Sequence, residues 1–270
     1  MSDGGTEIQR LADQIRGRPR RRNLVVVRAG DNSLHGGWLE GEERQFDLLV
    51  SSYGNRERPA SDRADYWIRQ KGPKFPPLHD LFKAGIFSDY QYVWLPDDDL
   101  KTSARTIDGF FEMCRSFSLK IAQPALAPGS YWSHDVTLAV RDSRLRFTNF
   151  VEVMCPAFSR EALALCASTF EHADTAWGLD YAWRKLIQAD QRSMAVIDAH
   201  TVLHTRPVGL RYDKDKAFAE LARNLAEYGV DQSIVVYKQV GVSLGERLFR
   251  GLAKGAGVVM RRDAGWRRVG

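Results

Sequence analysis

The stretch YQYVWLPDDDL, residues 90–100, decides the fold. An aromatic and aliphatic run, Tyr90 to Leu95, is cut by Pro96 and followed at once by Asp97, Asp98 and Asp99. Apolar residues without alternation read as a strand covered on both faces, as in a parallel sheet between helices. In an open α/β sheet, ligands bind beyond the carboxyl ends of the strands, which is where the three aspartates fall. Three adjacent like charges repel, so they stand either where water screens them or where a cation is held. Hard carboxylate oxygens suit Mg²⁺ or Mn²⁺, and such an ion takes one or two carboxylates plus phosphate oxygens such as those of a nucleoside diphosphate. A solvated acidic turn accounts for the triplet equally well on its own.

The same alternation extends outward. NLVVVR (23–28), FDLLVSSY (46–53), KIAQPAL (120–126), NFVEVMCPAF (149–158) and SMAVIDA (193–199) read as further strands. Helices are predicted over 77–85, stopped by Gly85, and over 103–117, with Thr102 or Ser103 as N-cap. Others run from Ser159 to about Thr169, over 179–189, and over 214–229, closed by Gly229. Residues 130–154 look β-rich and add antiparallel strands. The expected class is α/β: one domain with an open, mostly parallel (mixed) sheet flanked by helices over 23–237. A basic N-terminal extension (1–22) precedes it, and a basic C-terminal tail (238–270) with an amphipathic first half follows.

Composition narrows the function. The chain has 270 residues, 44% of them hydrophobic, enough for a sizeable core. The net charge of +5 is uneven: 1–22 carry +3 and 238–270 carry +6, leaving −4 on 23–237. A nucleic-acid reader carries its basic stripe on the folded domain, so nucleic acid is not the expected partner. Cys114, Cys155 and Cys166 lack CxxC spacing, which argues against a disulfide framework or zinc ribbon and for reduced thiols in a cytoplasmic setting. The first 22 residues hold no apolar signal core, and no run of 18 apolar residues exists. In the tail, Arg247, Arg250, Lys254, Arg261, Arg262, Arg267 and Arg268 accompany Leu244, Leu248, Phe249 and Leu252. That pattern suits peripheral contact with the anionic inner face of a membrane, or a solvated tail.

Other residues have two readings each. Asp180 in WGLDYAW (177–183) stands among apolar and aromatic neighbours. Desolvation there would lift its pKa toward a general base, but Asp is also an ordinary N-cap. Trp177 and Gly178 would shape the approach of a flat polar ring. His200 and His204 in VIDAHTVLHTRP are metal ligands, diphosphate contacts or plain hydrogen-bonded residues. Glu152, read within a buried strand, needs an arginine or a ligand hydroxyl. Lys71 and Lys74 flank the Gly72–Pro73 turn and either face a phosphate or lie on a surface turn. RAGDNSLH (28–35), with Asp31, follows the first strand, where nucleotides commonly bind, but has no GxGxxG or Walker pattern.

The blocks KGPKFPPLHDLF, YQYVWLPDDDL, AQPAL, NFVEVMCPAFSREAL and WGLDYAW, in this order, resemble the signature blocks of domain of unknown function 707, a plant and bacterial family. The resemblance spans about residues 23–210. That family is similar to the GT-A class of nucleotide-sugar-dependent glycosyltransferases. The resemblance implies Mn²⁺ or Mg²⁺ held by Asp99 and His204, with Asp97 in the metal set and toward the ribose or donor sugar. Beside it, the residues themselves suggest Asp98, Lys71, Lys74 and Asp31 on the donor side, and Glu152, Trp177 and Gly178 on the acceptor side. Asp180 would be the base of an inverting transfer to a glycan, lipid or protein hydroxyl. His200 is less well placed than His204. The rival readings are a nucleotidyltransferase that releases pyrophosphate, and a non-catalytic module that binds nucleotide or glycan.

Overall fold

The computed structural model describes residues 3–16, 21–40, 43–207 and 213–242, and the backbone of Arg267–Arg268. In chain order, α1 (Asp3–Arg16) precedes β1 (Asn23–Ala29), β2 (Phe46–Ser52) and β3 (Tyr66–Arg69). Next come α2 (Phe75–Lys83), β4 (Tyr92–Trp94), the short β5 (Leu100–Lys101) and α3 (Ala104–Ser116). β6 (Ile121–Leu126), β7 (Tyr131–Trp132), β8 (Ser143–Thr148) and β9 (Ala157–Ser159) lead to α4 (Arg160–Cys166) and α5 (Leu179–Leu186). The long β10 (Met194–His204), α6 (Lys214–Tyr228), β11 (Val236–Gly241) and β12 (Arg267–Arg268) complete the series.

Ten strands form one mixed sheet in the order β11-β8-β10-β6-β9-β4-β1-β2-β3, with β5 pairing on β10; β12 and β7 form a separate pair. β1 is parallel to β2 and β4, β2 to β3, and β6 to β10. β9 runs against both β4 and β6, so those two also share a direction. The carboxyl ends of β1, β2, β3, β4, β6 and β10 therefore lie along one edge, as the sequence predicts. The expected α/β class with helices flanking the sheet holds. Side chains alternate across it. Leu24 and Val26 pack with Phe75, Leu78, Phe170 and Trp183 on one face, and Val25 and Val27 pack with Trp94, Phe110 and Phe111 on the other.

Local chemistry sets the element ends. Ser103 Oγ accepts from Thr106 N and starts α3, and Ser159 does the same for α4 through Ala162 N, caps worth about 1 kcal/mol each. Gly229, at φ 60°, closes α6.

Three expectations need correction. Residues 149–158 are not one regular strand: only Ala157–Ser159 forms ladder pairs, and 149–156 is a buried crossing segment whose Met154 and Pro156 carbonyls accept from Asp97 N and Leu95 N just past β4. Phe150, Val151 and Cys155 are apolar because they are covered, not because they are extended. Asp180 is not the cap of α5; Gly178 is, at φ 91°, and Asp180 sits in the first turn. The last strand continues to His204, with a register break between Ile197 and Thr201. Within 1–22, α1 buries Leu11, Ala12 and Ile15 in the main core. The apolar and basic tail residues from Leu244 to Arg262 lie outside the described residues. Among the described residues, no helix is long and apolar enough to cross a membrane, and Cys114, Cys155 and Cys166 are buried and unpaired.

Candidate active site

The three aspartates face three different partners. Lys74 Nζ, the residue before α2, lies 2.7 Å from Asp97 Oδ1 and also donates to the carbonyls of Val153 (2.8 Å) and Met154 (2.7 Å). All three of its N–H groups are engaged, so Lys74 fixes the crossing segment to the acidic turn. Asp97 keeps 40% of its side chain accessible. Dehydration by the surrounding protein leads in raising its pKa, Asp99 adds, and Lys74 opposes; the short pair with Lys74 argues for the ionised form. Asp98 is buried and joins three loops. Its Oδ2 accepts from Gly30 N (2.7 Å) and Tyr53 Oη (3.4 Å), and its Oδ1 accepts from Arg206 (3.1 Å). Asp99 faces His204, with Nε2 3.3 Å from Oδ2, and Asp99 Oδ1 is buried with no hydrogen-bond partner among the described residues.

His204 ends β10. Its Nδ1 lies 2.8 Å from the carbonyl oxygen of Tyr131. A carbonyl only accepts, so Nδ1 carries the proton and the neutral ring turns the Nε2 lone pair toward Asp99. Burial alone would lower the pKa of His204; the Asp99 carboxylate outweighs it, with Tyr131 and Asp97 adding, and raises it. A lone pair aimed at a carboxylate asks for a proton or a cation between them. With the orphaned Asp99 Oδ1 beside it, the pair fits a divalent ion that finds its remaining ligands on substrate and water. Among the described residues, no group of three or more His, Cys, Asp or Glu side chains is clustered to hold a metal by itself.

Two more carboxyls face this cluster. Glu152 lies in the crossing segment; its N–H donates to Gln123 Oε1 at 2.6 Å, while its own Oε2 is buried without a hydrogen-bond partner among the described residues. Burial lifts Glu152 to about 7, with His204 and Lys74 pulling it down and Asp97 pushing it up. Asp180, 5% exposed, accepts among the described residues from nearby backbone alone, Tyr181 N at 3.1 Å. Burial, then the charge of Glu152, lifts it to about 8 against the backbone N–H groups of the first turn. Burial thus favours the protonated form of both acids, and the charge of Glu152 adds to that effect at Asp180.

The remaining predicted residues are placed as follows. Lys71 Nζ donates to the carbonyls of Tyr53 and Gly54 and to Asn55 Oδ1, which spends its three N–H groups on that loop. Asp31 Oδ1 accepts from Asn55 N and Arg56 N and ties the loop after β2 to the loop after β1. Trp177 stacks edge-on against Phe218 of α6 at 5.2 Å, and Asn224 of the same helix donates to its carbonyl. A Cβ on Gly178 would come within 3.0 Å of Asn224 Cβ. His200 packs on α3, where a Cβ at Gly109 would meet its ring. His204 thus joins the cluster and His200 does not. Sequence reasoning missed Arg206, whose place two residues after His204 was the available signal. It also missed the buried pair in which Arg146 holds Asp198 at 3.0 and 2.9 Å and binds the carbonyls of Val136 and Leu138.

The family model described as Protein of unknown function (DUF707) matches residues 142–235, a stretch that contains Glu152, Asp180 and His204. The likeness to that family read from the motif blocks is thus supported. No curated protein matches the chain. Among solved structures, S. aureus TarS 1–349 is similar, with a TM-score of 0.54 and 9% identity, over 78% of this chain and 67% of that one. The same fragment in complex with UDP-GlcNAc gives 0.51 and 10%, over 78% and 68%. At such identities the likeness is one of fold: a glycosyltransferase-like α/β sheet.

Proposed function

We propose that this protein transfers a sugar from a nucleotide-sugar donor to a hydroxyl acceptor, depends on a divalent cation, and inverts the anomeric centre. One observation carries the reading. Acidic side chains from the β4–β5 turn and the crossing segment lie near His204 at the carboxyl edge of a glycosyltransferase-like sheet, Asp180 of α5 feels the charge of Glu152, and buried oxygens of Asp99 and Glu152 lack hydrogen-bond partners among the described residues. The UDP-GlcNAc held by a protein of similar fold supports a nucleotide sugar as donor.

Asp99 and His204 would hold Mn²⁺ or Mg²⁺, which would supply charge stabilisation for the departing diphosphate. Lys74 holds Asp97 and the crossing segment in place. Asp98 and Arg206 shape the donor mouth between the loops after β1, β2 and β10. Asp180, once ionised, takes the proton of the acceptor hydroxyl. The freed oxygen bonds to the anomeric carbon as that carbon's bond to the diphosphate oxygen breaks, and the nucleoside diphosphate leaves with the bonding electrons. Glu152 offers its unpaired oxygen to a substrate hydroxyl. The test is a nucleotide-sugar panel, UDP-GlcNAc included, read by thermal shift and by release of nucleoside diphosphate with Mn²⁺. Stabilisation by a nucleotide sugar is expected, lost in Asp99→Asn. Binding without turnover in any donor and acceptor combination would reduce the protein to a binding module, and release of pyrophosphate from a nucleoside triphosphate would make it a nucleotidyltransferase.

A further inference from the structure

Residues 175–178, just ahead of Asp180, are gripped by one face of α6. Thr175 donates from its N–H and from its hydroxyl to Glu220 Oε2, both at 2.9 Å, and Ala176 N donates to Glu220 Oε1 at 3.0 Å. Asn224 Nδ2 donates to the Trp177 carbonyl at 2.7 Å. A Cβ on Gly178 would meet Asn224 Cβ at 3.0 Å and Leu221 Cδ1 at 3.3 Å. Leu221 and Leu225 also pack against the small core that holds Tyr181. Positions 220, 221, 224 and 225 follow helical spacing, so one side of α6 makes all of these contacts.

Glu220 is 5% exposed, and its cationic neighbour Arg223 is itself exposed and stands 3.9 Å away. A buried carboxylate needs hydrogen bonds in place of water, and here they come from the chain that leads into Asp180. That chain is strained. Ala176 has φ 63° and Gly178 φ 91°, two left-handed residues in three. A side chain at positive φ persists where its surroundings force it, and such strain collects at functional sites. The Asp180 carboxyl feels the result. Burial and the charge of Glu152 push its pKa up, and the N–H groups of Tyr181, Asp180 and Gly178 hold it back. Those N–H groups stay in place only while the 175–178 backbone does.

We propose that Glu220 is a positioning residue: with Asn224 it clamps residues 175–178 in the conformation that keeps the backbone N–H groups on the Asp180 carboxylate and the carboxylate ready for the acceptor hydroxyl. The role of the hydroxyl rests on the transferase reading; the clamp can be tested without it. The sign of one shift separates position from charge. Removing a like charge at 220 would lower the pKa of Asp180, whereas loosening its N–H groups raises it. Full-length Glu220→Ala, Glu220→Gln and Asn224→Ala are compared with the parent. In Glu220→Ala, amide exchange at Thr175 and Ala176 should quicken about tenfold or more. The pH limb of kcat/KM, and the pH at which Asp180→Asn gains its Tm advantage, should both move up by about half a unit to one unit. The kcat should fall about 10- to 100-fold with the donor KM unchanged. Glu220→Gln loses the same charge but keeps one acceptor oxygen, and should fall between parent and Ala. Asn224→Ala should shift the same quantities less, and it serves where Glu220→Ala does not fold. Unchanged exchange at 175 and 176 overturns the clamp. Faster exchange with neither the limb nor the Tm advantage moved overturns the positioning role. A limb that moves down assigns the effect to charge and also overturns it. Faster exchange with the Tm advantage moved up, while Asp180→Asn still transfers sugar or no transfer is seen at all, upholds the clamp and removes the base reading instead.

Discussion

Replacing Asp180 with Asn should make the protein more stable and catalytically silent at once. The carboxyl is buried and its pKa rises from 3.8 to about 8. The folded state therefore keeps a proton that the unfolded chain has lost over most of this range. Stability from this group is fully present below about pH 4 and is lost as pH rises toward 8. Each pH unit is worth about 1.4 kcal/mol, so roughly three units up to pH 7 set a ceiling of about 4 kcal/mol. Water entry and local relaxation reduce such figures, and about 2 kcal/mol is the expected gain for Asp180→Asn at pH 7. In a chain of this size that is about 4–8 °C in Tm. The amide keeps the volume and an oxygen for the Tyr181 N–H but cannot titrate. The assay is thermal unfolding of both proteins at pH 5.5 and pH 8, beside sugar transfer at each. The Tm advantage of Asp180→Asn should widen toward pH 8 while transfer falls by about 10²–10⁴-fold. A Tm difference that is the same at both pH values, or that favours the parent at pH 8, refutes the idea that Asp180 is held protonated by burial.

Other predictions follow from named contacts. The kcat/KM of the parent should climb with pH along a limb near 8, and Glu152→Gln, by removing a neighbouring charge, should move that limb to lower pH; an unmoved limb separates the two acids. Gly178→Ala places a Cβ 3.0 Å from Asn224 Cβ at φ 91° and should lower stability by about 1–3 kcal/mol in urea unfolding; an unchanged midpoint would show that α6 moves aside freely. Arg146→Met leaves the buried Asp198 without its cation and should lower stability by about 3–5 kcal/mol, with a loss under about 1 kcal/mol arguing that the pair is not structural.

Much of the sheet was legible in the sequence. Parallel strands buried on both faces are apolar throughout, so β1, β2, β4 and β6 stand out, and Ser103, Ser159 and Gly229 mark helix ends by their own chemistry. What misled was the buried crossing segment 149–156, which is as apolar as a strand because it is as fully covered as one. β3 escaped because Tyr66–Arg69 alternates between covered and partly exposed positions in a short edge strand. In the site, charge beside an apolar run pointed to the triplet, to Glu152 and to Asp180. The division of labour within the triplet was not legible, because it depends on loops distant in sequence: Lys74 for Asp97, Gly30 and Arg206 for Asp98, His204 for Asp99. Glycine at 178 read as a ligand contact, while its φ and its closeness to Asn224 give it a structural task.

The middle aspartate has a mechanical consequence. A single carboxylate, Asp98, moors the turn after β1, the tyrosine beyond β2 and the arginine beyond β10. The three segments are thus joined through one carboxylate, and displacing any of them breaks or stretches its bond to Asp98. Whatever molecule enters between them meets one hinged collar rather than three independent fingers, so amide exchange at Gly30 and motion at Arg206 should quicken and quieten in step.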